Sequence, residues 1–175
     1  MELKELTEKT LELFEIDNIS KLSSKLMQVV INNDANKYSA FVDIVKDLSV
    51  DWLQKIFQYY EADRKNKMQD YTPKSLAKFI GILAGESETV IDMCAGSGAL
   101  TIQKWNLEHN KKFLLYELDE KVIPFLLFNM AVRNIKCIVC QADILQQEVY
   151  HTYLVEKGEQ FGIVKEAENE FFINF

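Results

Sequence analysis

Hydrophobic residues in the first third of the chain recur with the period of α-helices. Ile19, Leu22, Leu26, Val29 and Val30 follow positions i, i+3, i+7, i+10 and i+11, which places them on one helical face. Three similar stripes predict further helices, formed by Leu3, Leu6, Leu13 and Phe14, by Tyr38, Phe41, Val42 and Val45, and by Leu53, Ile56, Phe57 and Tyr60. Because no glycine or proline precedes Pro73, the pattern predicts a small helical bundle. Ser49 is the predicted cap of its fourth helix.

The pattern changes after residue 70. Thr72-Pro73 predicts a helix start, with threonine as N-cap and proline at the first helical position. The predicted buried face of this helix consists of Leu76, Phe79, Ile80 and Leu83. Gly85 is predicted to end the helix.

Three short apolar runs then alternate with helical segments. The runs are Thr89–Met93, Phe113–Tyr116 and Cys137–Cys140. A helix starting at about Ala99 follows the first run, and a second helix, which continues through Asn134, follows the second run. This βαβαβ alternation predicts a parallel sheet with crossover helices. The apolar runs lack polar alternation, which is typical of strands buried on both faces. The predicted fold class is therefore α/β, with a parallel sheet behind an N-terminal helical region.

Carboxylates follow the three predicted strands at even spacing. Asp92, Glu117 and Asp143 are separated by 25 and 26 residues, and each lies at or just past the end of a strand. Ligands bind at this carboxyl edge in open α/β sheets. We therefore expect the three acids to border one binding site.

A glycine turn follows the first predicted strand. Gly96-Ser97-Gly98 allows the backbone to approach a ligand closely, and the helix after it directs amide groups towards that ligand. Glu117 lies 19 residues past Gly98, where an acid in such folds binds a ribose diol. Asp143 could reach an adenine amino group. This arrangement predicts a pocket for an adenosyl ligand.

Two adenosyl cofactors compete for this pocket. The dinucleotide motif G-x-G-x-x-G needs a third glycine, but the residue at that position is Thr101. Asp92, at the start of the turn, would repel a pyrophosphate and attract a cationic amino-acid group. The residues therefore favour S-adenosylmethionine, which carries an ammonium and a sulfonium, over NAD.

The turn and its surroundings resemble a known family. Asp92-Met93-Cys94-Ala95-Gly96-Ser97-Gly98 is similar to the cofactor loop of S-adenosylmethionine-dependent methyltransferases, and most similar to that of N6-adenine DNA methylases of the type I restriction-modification kind. Tyr71-Thr72-Pro73 resembles the Y/F-T-P motif upstream of that loop. Further resemblances are Tyr116-Glu117-Leu118-Asp119, Asn129 and Ala142-Asp143-Ile144-Leu145. The commonest loop in the family, D-P-x-C-G-S-G, differs at Met93 and Ala95.

The resemblance implies a Rossmann-like methyltransferase fold, of which this chain would hold an incomplete parallel sheet. It also implies S-adenosylmethionine as cofactor, DNA as partner, and pairing with a methylase or specificity subunit. It implies that Tyr71, Thr72 and Pro73 close over the methionine end, while Asp92 faces the amino-acid part of the cofactor. Cys94, Ala95, Gly96, Ser97 and Gly98 would form the cofactor loop. Glu117 would hold the ribose, Leu118 would also contact the cofactor, and Asp143 and Ile144 would border the adenine.

The catalytic motif of that family is missing. Its members hold the flipped adenine with an N-P-P-Y-like motif after the fourth strand, but the only prolines here are Pro73 and Pro124. No catalytic residue can therefore be named. The chain is either a fragment of a longer protein or a reduced relative. Two alternatives to a DNA methylase are a non-enzymatic, cofactor-binding regulatory module and a methyltransferase acting on RNA, protein or a small molecule.

The C-terminal segment allows two predictions. Phe161–Val164 could be the fourth strand, or could form a hairpin with Phe171–Phe175 across Glu166–Glu170.

Upstream of the sheet, the polar stretch Glu61–Asp70 is predicted to be a linker rather than a phosphate-binding basic patch. We therefore place a helical region at residues 1–66 and a methyltransferase-like domain at residues 67–175.

Composition and charge restrict the setting. The net charge of −7 argues against a nucleic-acid binder whose whole surface is basic. No apolar run approaches the roughly 20 residues that span a bilayer, so we expect no membrane association and a cytoplasmic location.

Cys137 and Cys140 are predicted to be core residues rather than zinc ligands, because side chains three residues apart on a strand point to opposite faces.

Overall fold

A computed structural model describes residues 2–62, 65 and 72–168 of the chain. The N-terminal region is helical, as the hydrophobic stripes predict. Its helices are α1 (Leu3–Phe14), α2 (Leu22–Ile31), α3 (Ala35–Val45) and α4 (Trp52–Tyr60), and a 3-10 turn at Ile19–Lys21 precedes α2. The stripe formed by Ile19, Leu22, Leu26, Val29 and Val30 is buried throughout.

Helices and strands alternate in the second part of the chain. They are α5 (Lys74–Leu83), β1 (Thr89–Asp92), α6 (Ala99–Leu107), β2 (Lys112–Glu117), α7 (Ile123–Val132), β3 (Cys137–Asp143), β4 (Glu148–Glu156) and β5 (Ile163–Ala167). The five strands form one sheet in the order β1-β2-β3-β4-β5. β1, β2 and β3 are parallel, whereas β4 and β5 continue the sheet as antiparallel strands. The fold is thus α/β and Rossmann-like, with a mixed sheet.

The segment predicted to be either the fourth strand or half of a hairpin overlaps the fifth strand of the chain. Ile163–Ala167 pairs with β4, and Glu166, which the hairpin prediction places in the loop, lies within β5 opposite Tyr153. The predicted partner segment, Phe171–Phe175, lies outside the described residues. β4 escaped the sequence analysis because a register shift leaves Tyr150 as an extra residue opposite β3. This bulge interrupts the two-residue alternation that identifies a strand.

Helix α7 lies at the centre of the molecule. All ten of its residues are buried, and they join α1–α4 and one face of the sheet in a single hydrophobic core. The Phe128 ring packs edge-on against those of Phe14, Tyr38 and Phe41, with centroid distances of 5.6, 5.3 and 5.0 Å. The helical region is therefore packed directly against the sheet domain through α7.

The opposite face of the sheet carries a smaller apolar cluster. Leu114, Tyr116, Cys140 and Ala142 are buried there. Cys137 points instead into the main core, so the two cysteines lie on opposite faces as predicted. Burial raises the pKa of both thiols, which keeps them protonated.

The predicted buried face of α5 is wrong. Leu76, Phe79, Ile80 and Leu83 remain 38–67% exposed, and the residues that α5 buries are Ala77 and Gly81. A Cβ on Gly81 would lie 3.5 Å from the backbone of Lys104, so α5 approaches α6 closely through its small residues. The large apolar side chains consequently point away from this contact.

Strand β1 differs from the other parallel strands. It pairs with β2 alone among the described residues, and it forms one edge of the sheet. Ile91 is 43% exposed, so the expectation of burial on both faces does not hold for β1. Within the described part of the chain, no strand pairs with the outer edge of β1, and α5 carries an exposed apolar surface.

Two helix starts differ from prediction. Asp51, not Ser49, caps α4, and its carboxylate accepts a hydrogen bond from the amide of Gln54 at 2.9 Å. Helix α5 begins at Lys74, with Pro73 rather than Thr72 at the N-cap position. Among the described helices, none has both the length and the apolar character needed to cross a bilayer.

Candidate functional site

The glycine turn connects β1 to α6 at the carboxyl edge of the sheet. The amide of Ala95 donates to the carbonyl of Tyr116 at 2.8 Å, and the amide of Gly98 donates to the carbonyl of Ala95 at 2.9 Å. Gly96 and Gly98 have φ angles of 57° and 95°, which strongly favour glycine. A Cβ on Gly98 would lie 2.8 Å from Met130 and 2.9 Å from Leu126, so this glycine also permits close packing against α7.

Glu117, the last residue of β2, is bound to this turn. Its carboxylate accepts hydrogen bonds from the amides of Gly96 and Asp119, both at 2.8 Å. Burial raises the pKa of Glu117, although both hydrogen bonds favour its ionised form. The carboxylate therefore faces the cleft in a fixed orientation, with lone pairs left for further donors.

Asp92 lies at the end of β1, beside the turn. Its carboxylate accepts a hydrogen bond from the amide of Cys94 at 3.2 Å, and burial raises the pKa of Asp92. The pKa of the Cys94 thiol is also raised, first by burial and then by the charges of Glu117 and Asp92. A protonated thiol is a poor nucleophile, which agrees with a role for Cys94 as part of the loop.

A cleft of about 1080 Å³ opens above the turn. Its walls come from the ends of β1, β2 and β3, together with Gln54 of α4. Four acidic residues, Glu117, Asp119, Glu120 and Asp143, line it, and Lys121 is the one basic residue among the described lining. The cleft therefore carries a negative field.

Most of the predicted site residues lie together in this cleft. Those in its lining are Thr72, Cys94, Ala95, Gly96, Ser97, Glu117, Leu118, Asp143 and Ile144. Asp92 and Gly98 are not part of the lining. Pro73 lines a neighbouring cavity of about 310 Å³, and Tyr71 lies outside the described residues.

Asp143 has a local structural role in addition to its position in the cleft. One carboxylate oxygen accepts hydrogen bonds from the amides of Leu145 and Gln146, both at 3.0 Å. The other accepts from the side-chain amide of Gln146 at 3.2 Å. These bonds order the turn after β3, where the Leu145 side chain is 95% exposed at the mouth of the cleft.

Comparison with known protein families identifies the family to which this chain belongs. The model of a family described as N-6 DNA Methylase matches residues 45–167. The chain belongs to the N-6 DNA methylase family. No curated protein and no solved structure gives a significant match. The N-6 DNA methylase match includes the glycine turn and all three strand-end acids, and it begins upstream of α4.

Gln54 and Asp51 are among the residues near the candidate site that the sequence did not indicate. Gln54 lines the cleft, and Asp51 lies directly behind the turn, where its carboxylate accepts a hydrogen bond from the Ser97 hydroxyl at 2.7 Å. The spacing Asp51-x-x-Gln54 matches the pattern of a helix-capping box. That pattern would have located the start of α4, but not its contact with the turn.

Proposed function

We propose that this chain binds S-adenosylmethionine in the acidic cleft and provides the cofactor-binding part of a DNA adenine-N6 methylase. The observation that carries the proposal is the fixed carboxylate of Glu117, held by the amide of Gly96 at the mouth of a glycine turn. Family membership supports adenine in DNA as the methyl acceptor. When bound, S-adenosylmethionine supplies a transferable methyl group on its sulfonium.

The charge of the cleft supports this cofactor over a dinucleotide. Four carboxylates and a single lysine line the described walls, so a pyrophosphate would meet net repulsion. The ammonium and sulfonium of S-adenosylmethionine would instead be attracted. The cleft is also large enough for a nucleoside-sized ligand.

The residues would act on different parts of the cofactor. Glu117 would accept hydrogen bonds from the ribose hydroxyls through its remaining lone pairs, and Asp143 with Ile144 would border the adenine. Thr72 would lie at the methionine end. Since Asp92 lies outside the lining, we assign it an electrostatic role towards the ammonium rather than a direct wall contact.

The surface around β1 favours a role that depends on a second polypeptide. No described strand pairs with the outer edge of β1, and five large apolar side chains of α5 are exposed: Leu76, Phe79, Ile80, Ile82 and Leu83. Exposed strand edges and apolar patches are typical of interaction sites. We therefore propose that groups holding the target adenine are supplied by another segment or subunit, such as a partner methylase, that covers this surface. A purely regulatory cofactor-binding module is the second candidate.

Calorimetry tests the proposed cofactor directly. We expect S-adenosylmethionine and S-adenosylhomocysteine to bind, because both carry the ribose, adenine and amino-acid groups that the cleft would contact. NAD should bind far more weakly owing to its pyrophosphate. Binding of NAD without binding of S-adenosylmethionine would overturn the proposal.

Removal of the Glu117 carboxylate should weaken cofactor binding. We expect Glu117→Ala to cost about 1.5–3 kcal/mol, roughly 10- to 150-fold in Kd, because hydrogen bonds to a charged acceptor have this magnitude. Glu156→Ala is the matched control, because Glu156 is exposed and lies away from the cleft. Its neighbour Val155 pairs with Cys137 at the amino end of β3, whereas the cleft lies at the carboxyl ends of the parallel strands. Titration calorimetry of both variants should show a loss for Glu117→Ala alone.

Cofactor affinity should also depend on pH. Burial raises the pKa values of Asp92 and Glu117 above their ordinary values of 3.8 and 4.5. A cationic ligand favours the ionised carboxylates, so affinity should be highest well above these raised pKa values and should fall as the pH drops through them. Titrations from neutral pH downward, over the range in which the protein stays folded, should show a decline that Glu117→Gln reduces. An identical pH profile for this variant would exclude the Glu117 contribution.

A further inference from the structure

The glycine turn is held from behind by a residue of the helical region. Asp51 precedes α4 and is only 6% exposed, yet it carries a carboxylate. One oxygen of that carboxylate accepts the Ser97 hydroxyl at 2.7 Å. The other accepts the Gln54 amide at 2.9 Å and the Asn129 side-chain amide at 3.0 Å. Both oxygens are therefore engaged, and one of them is engaged by the turn itself.

Asn129 joins the same network from α7. Its side-chain nitrogen donates both to Asp51 and to the backbone carbonyl of Ser97, the latter at 2.9 Å. Ser97 is thus fixed through its hydroxyl and through its main chain, by two residues distant in sequence. This matters because the flanking Gly96 and Gly98 restrict the backbone less than any other residue type.

Arg133 holds the segment that carries Asp51. Its guanidinium donates to the carbonyls of Leu48 and Val50, at 2.8 and 2.9 Å, and to the side-chain oxygen of Asn129 at 2.8 Å. Burial lowers the pKa of Arg133 to about 10, so the side chain remains charged at neutral pH. Burial raises the pKa of Asp51, and the nearby charge of Arg133 opposes that rise, so the buried guanidinium favours the ionised carboxylate. Arg133 in turn interacts with the charges of both Asp51 and Asp47.

We propose that Asp51 is a positioning residue, which holds the Gly96–Gly98 turn in its ligand-binding conformation and links the helical region to cofactor affinity. This inference rests on the proposed function as far as the cofactor is concerned. Its structural part, the ordering of the turn, stands independently. Asp51 would touch neither the cofactor nor the reacting atoms, and would act through Ser97.

Two variants test this role. Asp51→Asn removes the charge and replaces one acceptor oxygen by a donor, so that no hydrogen bond to a carboxylate is left at this position. Ser97→Ala removes only the hydroxyl that links Asp51 to the turn. We expect each to lower S-adenosylmethionine affinity about tenfold, as a hydrogen bond to a buried charge is lost. Because the two substitutions remove the same contact, the double variant should be little weaker than Asp51→Asn.

Asp34→Asn is the matched control. Asp34 caps α3 by accepting the amides of Asn36 and Lys37, as Asp51 caps α4, but α3 has no such bond to the turn. We expect its cofactor affinity to stay within about twofold of the parent, since only a helix cap is altered. Comparison of the two aspartate variants therefore separates capping from positioning.

Hydrogen exchange of the ligand-free protein provides the second measurement. Backbone amides of the turn should exchange about tenfold faster in Asp51→Asn and Ser97→Ala, but not in Asp34→Asn, because local opening of the turn becomes easier. Unchanged exchange and affinity in Ser97→Ala would overturn the inference, even if Asp51→Asn were too unstable to study. If the parent chain failed to bind S-adenosylmethionine, the proposed function would fail, while exchange would still decide the role of Asp51.

Discussion

Phe128→Ala is expected to lower the free energy of unfolding by about 3–5 kcal/mol, the range found for removal of a buried phenylalanine. Phe128 is fully buried in α7 and contacts the rings of Phe14, Tyr38 and Phe41. The substitution would leave a cavity where α1, α3 and α7 meet, and it would remove three edge-to-face ring contacts. Urea unfolding followed by circular dichroism should show a large fall in the midpoint.

Phe79→Ala provides the control for this measurement. Phe79 lies on α5 with 55% of its surface exposed, so its removal should change the free energy of unfolding by no more than about 0.5 kcal/mol. Similar losses for both variants would show that the α5 face is buried in solution, for example against a second polypeptide. A small loss for Phe128→Ala would contradict the central place of α7 in the core.

The chain by itself is expected to transfer little or no methyl group to DNA. Its two prolines, Pro73 and Pro124, are not adjacent, so the sequence has no P-P motif to hold a flipped adenine near the methyl donor. Correct positioning dominates such reactions, and a displacement of about 1 Å can cost roughly a hundredfold in rate. Transfer of tritiated methyl groups to unmethylated DNA should therefore stay near background at high protein concentration.

Addition of a second polypeptide distinguishes the remaining outcomes. Incorporation after adding a methylase polypeptide that carries N-P-P-Y would favour a divided enzyme, whereas cofactor binding without activity would favour a regulatory module. Gly96→Arg should abolish any activity, because Gly96 lines the cleft with φ of 57°. Robust incorporation into adenine by the unsupplemented chain would refute the expectation and require base-holding groups elsewhere in it.

The three parallel strands could be predicted from local patterns. Apolar runs, a glycine turn and acids at even spacing define β1 to β3 and their carboxyl edge, because each signal depends on residues close in sequence. Glu117 and Gly96, for example, are 21 residues apart and become neighbours whenever two parallel strands pair. The α/β class and the methylase relationship both follow from this segment.

Hydrophobic periodicity did not predict the buried face of α5 or the presence of β4. The apolar stripe of α5 predicted burial of Leu76 and Leu83, but the helix instead buries Ala77 and Gly81 against α6. Small residues permit the closest approach of two helices, and no local pattern reveals which face the neighbouring element will cover. The bulge at Tyr150 similarly concealed β4, since a single extra residue reverses the alternation.

The helical and strand periods, the glycine turn and the acids that follow each parallel strand can be identified from the residues alone, since these features depend on short-range chemistry. The support of the turn by Asp51, 46 residues before Ser97, and by Asn129 and Arg133 becomes visible only in the folded chain. Such contacts join residues distant in sequence and depend on how α4 and α7 pack against the sheet. A buried charged group needs partners, and here those partners come from segments far apart in sequence. Local sequence patterns therefore do not reveal these contacts.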